Sequence, residues 1–82
     1  MSHYVYILQS LRDKGYYIGE TLNVEARLSF HNKWLQRSTR NRTPFRLVLV
    51  EKYENRGFAL KREKEIKSWK GGVAFKKLIE GL

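Results

Sequence analysis

From Tyr4 to Gln9 the chain runs through aromatic and β-branched residues at the two-residue period of a strand. Arg12-Asp13-Lys14-Gly15 supplies turn chemistry, with Gly15 free to take positive φ, and Tyr16 to Glu20 reads as the returning strand. The period then changes. Thr21 to Asn32 predicts a helix with Thr21 or Asn23 as N-cap, an apolar row of Leu22, Ala26 and Phe30, and Val24 and Leu28 broadening that row. Lys33 to Thr43 is polar and basic and predicts a loop leading to the only proline, Pro44. Phe45 to Tyr53 is the strongest strand, and Leu47-Val48-Leu49-Val50 predicts cover on both faces. Asn55-Arg56-Gly57 ends it. Phe58 to Trp69 is helical in period through Ala59, Leu60, Ile66 and Trp69, Gly71-Gly72 breaks that helix, and Val73 to Ile79 forms a terminal amphipathic one.

The order β-β-α-β-α-α predicts an α+β fold, a three-stranded antiparallel sheet flanked by helices, within a single domain over residues 1–82. The hairpin register matters for everything downstream. If Tyr6 lies opposite Tyr17, both phenols emerge on one face; a slip by one residue would separate them.

At 82 residues there is room for one modest core. No apolar run approaches the roughly 18 residues of a membrane span, and the amino terminus lacks the pattern of a signal peptide. Without cysteine there is neither a disulfide framework nor a thiolate metal site, and together these features favour the cytoplasm. The composition leaves the oligomeric state open, a monomer included.

Net charge is +9, and its placement is more telling than its size. No acidic residue occurs between Ala26 and Val50, whereas Arg27, Lys33, Arg37, Arg40, Arg42 and Arg46 all do. Such a stretch suits the phosphates of DNA or RNA, with Lys33, Arg37, Arg40, Arg42 and Arg46 as candidate backbone contacts. A solvated basic surface is the plainer alternative. Trp34 and Phe45 interleave the charges, compatible with base stacking but more in keeping with packing.

Five side chains could carry chemistry. Glu63 stands three from Leu60 and Ile66 and so interrupts the apolar stripe of its helix. A buried carboxylate needs a cation, which would be Arg27, a lysine, or a hydrated Mg²⁺ or Mn²⁺ ion. Arg27 and His31, four apart, share a helical face beside the apolar row. Arg27 could contact a phosphate or pair with Glu25 or Glu20; His31 could donate a proton or simply pack. Tyr6 and Tyr17 carry phenols whose ordinary pKa near 10 is too high for an unaided base at neutral pH. Asn32 could end its helix in the left-handed conformation.

Two triplets, Tyr4-Val5-Tyr6 and Tyr17-Ile18-Gly19, followed in order by Arg27, His31 and Arg62-Glu63, resemble the GIY-YIG nuclease superfamily over about Tyr4 to Trp69. Tyr4 replaces the glycine of the first triplet, a change in backbone freedom rather than in reacting groups. The resemblance implies a metal-dependent endonuclease that hydrolyses phosphodiester bonds. Glu63 would hold one Mg²⁺ or Mn²⁺, Arg27 would stabilise the transition state, and Tyr6 or Tyr17 would activate water. The chain is similar to the small, free-standing bacterial members. A non-catalytic DNA- or RNA-binding module on the same fold is the alternative.

Overall fold

The computed structural model describes residues 2–33 and 40–81. Strands β1 (His3–Ser10) and β2 (Tyr16–Thr21) precede helix α1 (Val24–Asn32). A 3₁₀ turn (Arg40–Arg42), strand β3 (Phe45–Tyr53) and helices α2 (Arg56–Trp69) and α3 (Val73–Glu80) follow. The expected α+β order is present, and β1 lies at the centre of an antiparallel sheet ordered β2-β1-β3. Among the described residues, no helix is long and apolar enough to cross a membrane.

The β1–β2 turn is built from side chains. Ser10 Oγ accepts the amides of Arg12 and Asp13, each at 3.1 Å, and donates to the carbonyl of Arg42. Asp13 Oδ1 accepts the Gly15 amide at 2.7 Å. With Ser10 and Asp13 fixing both sides, the residue driven to positive φ is Lys14, at 65°, and not the expected Gly15. Gly15 supplies space instead: a Cβ there would lie 2.6 Å from the Arg42 guanidinium.

Register departs from the expected pairing by two residues. Tyr6 faces Gly19, and Tyr17 faces Leu8. Because side chains alternate with period two, this stagger still leaves both tyrosines on one sheet face. On the β3 side the pairing passes from Ile7↔Leu49 to Leu8↔Leu47, so Val48 is the extra residue of a bulge.

The sheet separates two apolar clusters. Val5, Ile7, Ile18 and Leu49 pack against Ala59 and Ile66 of α2 and Phe75 of α3. On the other face Tyr6, Leu8 and Phe45 gather Tyr17 with Val24 and Leu28 of α1. Short α1 covers only part of that face, leaving Leu47 39% and Val50 40% exposed. The expectation that β3 is covered on both sides therefore fails: β3 is an edge strand with one face partly open.

Helix caps fall where asparagine offers its side chain. Asn23 Oδ1 accepts the Ala26 amide at 3.0 Å and Asn55 Oδ1 accepts the Phe58 amide at 2.9 Å. Consequently α1 starts after Asn23 rather than at Thr21, and α2 starts before Phe58. The inward row of α1 is Val24, Leu28 and His31; Leu22 and Ala26 are exposed, contrary to the expected Leu22–Ala26–Phe30 stripe. In α2, Ala59 and Ile66 are buried while Leu60 turns outward.

Ile66 has no exposed surface and sits where both C-terminal helices meet the sheet. Ile66→Ala should lower unfolding stability by about 2–5 kcal/mol, read from denaturant midpoints. Val73→Ala, at an exposed position, serves as the control and should change it by less than about 0.5 kcal/mol.

Candidate active site

Four elements bring the candidate residues together. Tyr6 comes from the central strand, Tyr17 and Gly19 from β2, Arg27 and His31 from α1, and Glu63 from α2. Tyr6 Oη lies 3.3 Å from His31 Nε2, a buried contact. The rings of Tyr6 and Tyr17 are 6.3 Å apart, and Tyr17 stands 4.6 Å from the His31 ring. Phe45 closes the far side of the imidazole at 5.9 Å. This arrangement depends on Gly19. A Cβ at that position would lie 2.4 Å from Tyr6 Oη and 2.6 Å from its Cζ, so the phenol occupies the space a side chain would fill.

Asn32, next to His31 in sequence, ties the end of α1 to β3. Its Oδ1 accepts the Phe45 amide at 2.7 Å and its Nδ2 donates to the Phe45 carbonyl at 3.2 Å. The side-chain amide thus pairs with β3 as a neighbouring strand would. This explains why Asn32 stays within α1 and does not take the left-handed conformation.

Burial sets the protonation of the pair. Tyr6 is pushed well above the ordinary phenol range by desolvation first, then by Tyr17, Glu63 and Glu20; the Arg27 charge opposes this and loses. Arg27 therefore does not confer phenolate character on Tyr6 in the protein alone. His31 is lowered, again mainly by burial and further by Arg27. A neutral phenol therefore meets a neutral imidazole. In the tautomer that leaves Nε2 unprotonated, Tyr6 donates to His31.

Glu63 is partly buried, and its Oε2 meets Lys67 Nζ at 3.0 Å. The cation expected beside it is that lysine, one turn along α2. Among the described residues no group of three or more His, Asp or Glu side chains could share a metal. Arg27 pairs with no carboxylate among the described residues; its guanidinium lies 5.3 Å from the Phe30 ring centroid. Arg62, beside Glu63, ties α2 to β3. Its Nε and Nη2 donate to Glu51 at 2.9 and 3.2 Å, and Tyr53 also donates to Glu51 at 2.9 Å. Burial alone would raise the Glu51 carboxyl, but these donors hold it below its ordinary value.

A sequence model of the GIY-YIG catalytic domain matches residues 2–77, nearly the full described length. The chain belongs to the GIY-YIG family. A UPF0213 protein of Natronomonas pharaonis is 45% identical over 67 residues, covering 80% of this chain and 78% of that one. A UPF0213 protein of Staphylococcus haemolyticus is 41% identical over 68 residues, covering 82% of each. Among solved structures, the solution structure of a UPF0213 protein from Bacillus halodurans is similar at a TM-score of 0.63. It is 33% identical, with 98% of this chain and 84% of that one covered. The GIY-YIG family is one of nucleases, which act on nucleic acid and generally use a divalent metal.

The basic stretch fares unevenly as a GIY-YIG substrate surface. Arg42 is engaged by Asp13 at 2.8 Å and lies 5.6 Å from the Phe45 centroid. Arg46 donates twice to Gln9 Oε1, at 3.1 and 2.7 Å. Lys33 is exposed at the end of α1. Arg37 and Trp34 lie outside the described residues, as does the side chain of Arg40. Phe45 is buried, hence a packing residue. Sequence reasoning missed the bracing amide of Asn32, whose partner is 13 positions away. It also missed the His3–Glu20 contact at 3.0 Å across the hairpin, which nothing local announces.

Two outcomes follow from this geometry. Gly19→Ala should displace the Tyr6 ring, cost about 1–3 kcal/mol of stability, and shift the His31 ring resonances in NMR spectra. For His31, the unfolded pKa is about 6.5 and the folded one lies lower. The unfolded chain then binds the proton first, so stability is intact above about pH 6.5 and is lost as pH falls towards the folded value. Urea midpoints should drop between about pH 7.5 and about pH 5, and His31→Gln should flatten that dependence.

Proposed function

We propose that the chain hydrolyses phosphodiester bonds in nucleic acid as an endonuclease. The observation that carries this reading is the buried Tyr6–His31 contact at 3.3 Å, on which the charges of Arg27 and Glu63 both act. An attacking water would pass its proton to Tyr6 Oη as the phenol proton moves to His31 Nε2. The lowered pKa of His31 keeps that nitrogen available at neutral pH. Tyr17, against the same imidazole, would orient the water. Arg27 would contact the scissile phosphate and offset the charge that develops there.

The donor set fits one divalent ion. Glu63 is a hard oxygen ligand at the edge of the site, and Mg²⁺ or Mn²⁺ binds with few protein ligands while retaining much of its water. Glu63 would hold such an ion, which would supply Lewis acidity to the phosphodiester. Lys67 would give up its contact to Glu63 on loading, a small loss because its side chain is 55% exposed. Lys33 and the basic residues up to Arg46 would steer the phosphate backbone without reading sequence.

The Lys67–Glu63 pair also favours a second reading, a binding module in which the carboxylate is permanently occupied by its own helix. One substitution separates the two. Glu63→Gln removes only a partly exposed ion pair, so stability should change by less than about 1 kcal/mol. In an assay over DNA and RNA structures with Mg²⁺ or Mn²⁺, cleavage should be lost at every metal concentration while substrate affinity persists. Binding without cleavage by the unsubstituted protein across that panel, unchanged by EDTA, would establish the module instead.

A further inference from the structure

Where β2 runs into α1, a cleft of about 660 Å³ opens, within the range of small-ligand pockets. Its walls include His3, Glu20, Leu22, Arg27, Phe30 and Arg56, and Arg27 is the residue it shares with the candidate active site. Ala26 and Phe30 of α1, with Leu22 just before its cap, make one apolar row lining the cleft, yet the helix packs through Val24, Leu28 and His31. The row turns to the cleft instead, with Leu22 49% exposed.

We propose that this cleft receives one unstacked nucleotide of the substrate strand, flanking the scissile phosphate. Its base would lie against Leu22, Ala26 and Phe30, and its phosphate between Arg27 and Arg56. The proposal rests on the reading of nucleic acid as substrate. Both cations are available for the role. Arg27 has no carboxylate partner among the described residues, and Arg56 is 69% exposed with Glu20 at 3.6 Å. Glu20 does not repel the phosphate unopposed, because His3 holds its Oε2 at 3.0 Å and Arg56 faces Oε1. A polymer that places one phosphate on Arg27 must send its neighbouring unit somewhere, and the cleft begins at that arginine. An apolar wall under a guanidinium is the pairing that base stacking and backbone binding require together.

The test uses the Glu63→Gln protein and short single-stranded DNA carrying 2-aminopurine at successive positions. Emission should rise at one position as that base leaves its stack. Ala26→Leu fills the cleft from an exposed helical site, and should abolish the rise while anisotropy reports affinity reduced by up to about tenfold. Arg56→Ala should weaken binding several-fold and lessen its salt dependence; Lys61→Ala, an exposed cation of α2 outside this cleft, should do neither to the same degree. DNA that binds with no positional response, or a response unchanged by Ala26→Leu, overturns the cleft and leaves the nucleic-acid reading standing. Absence of binding to this DNA overturns the cleft, and absence of binding across the DNA and RNA structures overturns the nucleic-acid reading as well.

Discussion

The Tyr6 phenol lies directly over the backbone of Gly19, and that close approach is the constraint from which the rest of the site follows. It requires the register that pairs these two residues, and it requires that the residue opposite the phenol have no side chain. Given both, the ring can lie down across β2 and extend its hydroxyl to His31. Tyr17, two residues earlier on the same face, then meets the imidazole from the side. With any larger residue at Gly19, the phenol would have to stand away from the sheet, and the contact between strand and helix would be lost.

Desolvation outweighs charge in deciding the state of this pair. Arg27 favours a phenolate at Tyr6, but burial and the neighbouring acids prevail. At His31 burial and Arg27 act together. A buried site that contains a cation thus keeps its two most reactive groups neutral, which avoids stranding charge in the interior. Proton movement between phenol and imidazole becomes favourable only when something outside the pair supplies the demand, as a bound water and phosphate would.

The elements were legible because their periods are clear: β3 has the expected limits, and both tyrosines share the expected face. The triplets and the later Arg, His and Glu suggested the GIY-YIG family as an ordered pattern, and the family match bears that membership out. Errors arose where a choice depended on tertiary contact. The α1 stripe was misjudged because Leu22, Ala26 and Phe30 are as periodic as the row that actually packs, and only the position of the sheet distinguishes them. The positive φ at Lys14 and not Gly15 reflects Ser10 and Asp13 pinning the turn together with Arg42, 29 residues from Asp13. The two-residue stagger of the hairpin was invisible because both registers place the same residues on the same face.

The amide of Asn32 joins the end of α1 to the beginning of β3 as though the two were adjacent strands. The chain between them therefore leaves and returns at one clasp. Length or sequence could change between those two ends while the clasp keeps the helix end that carries His31 at β3.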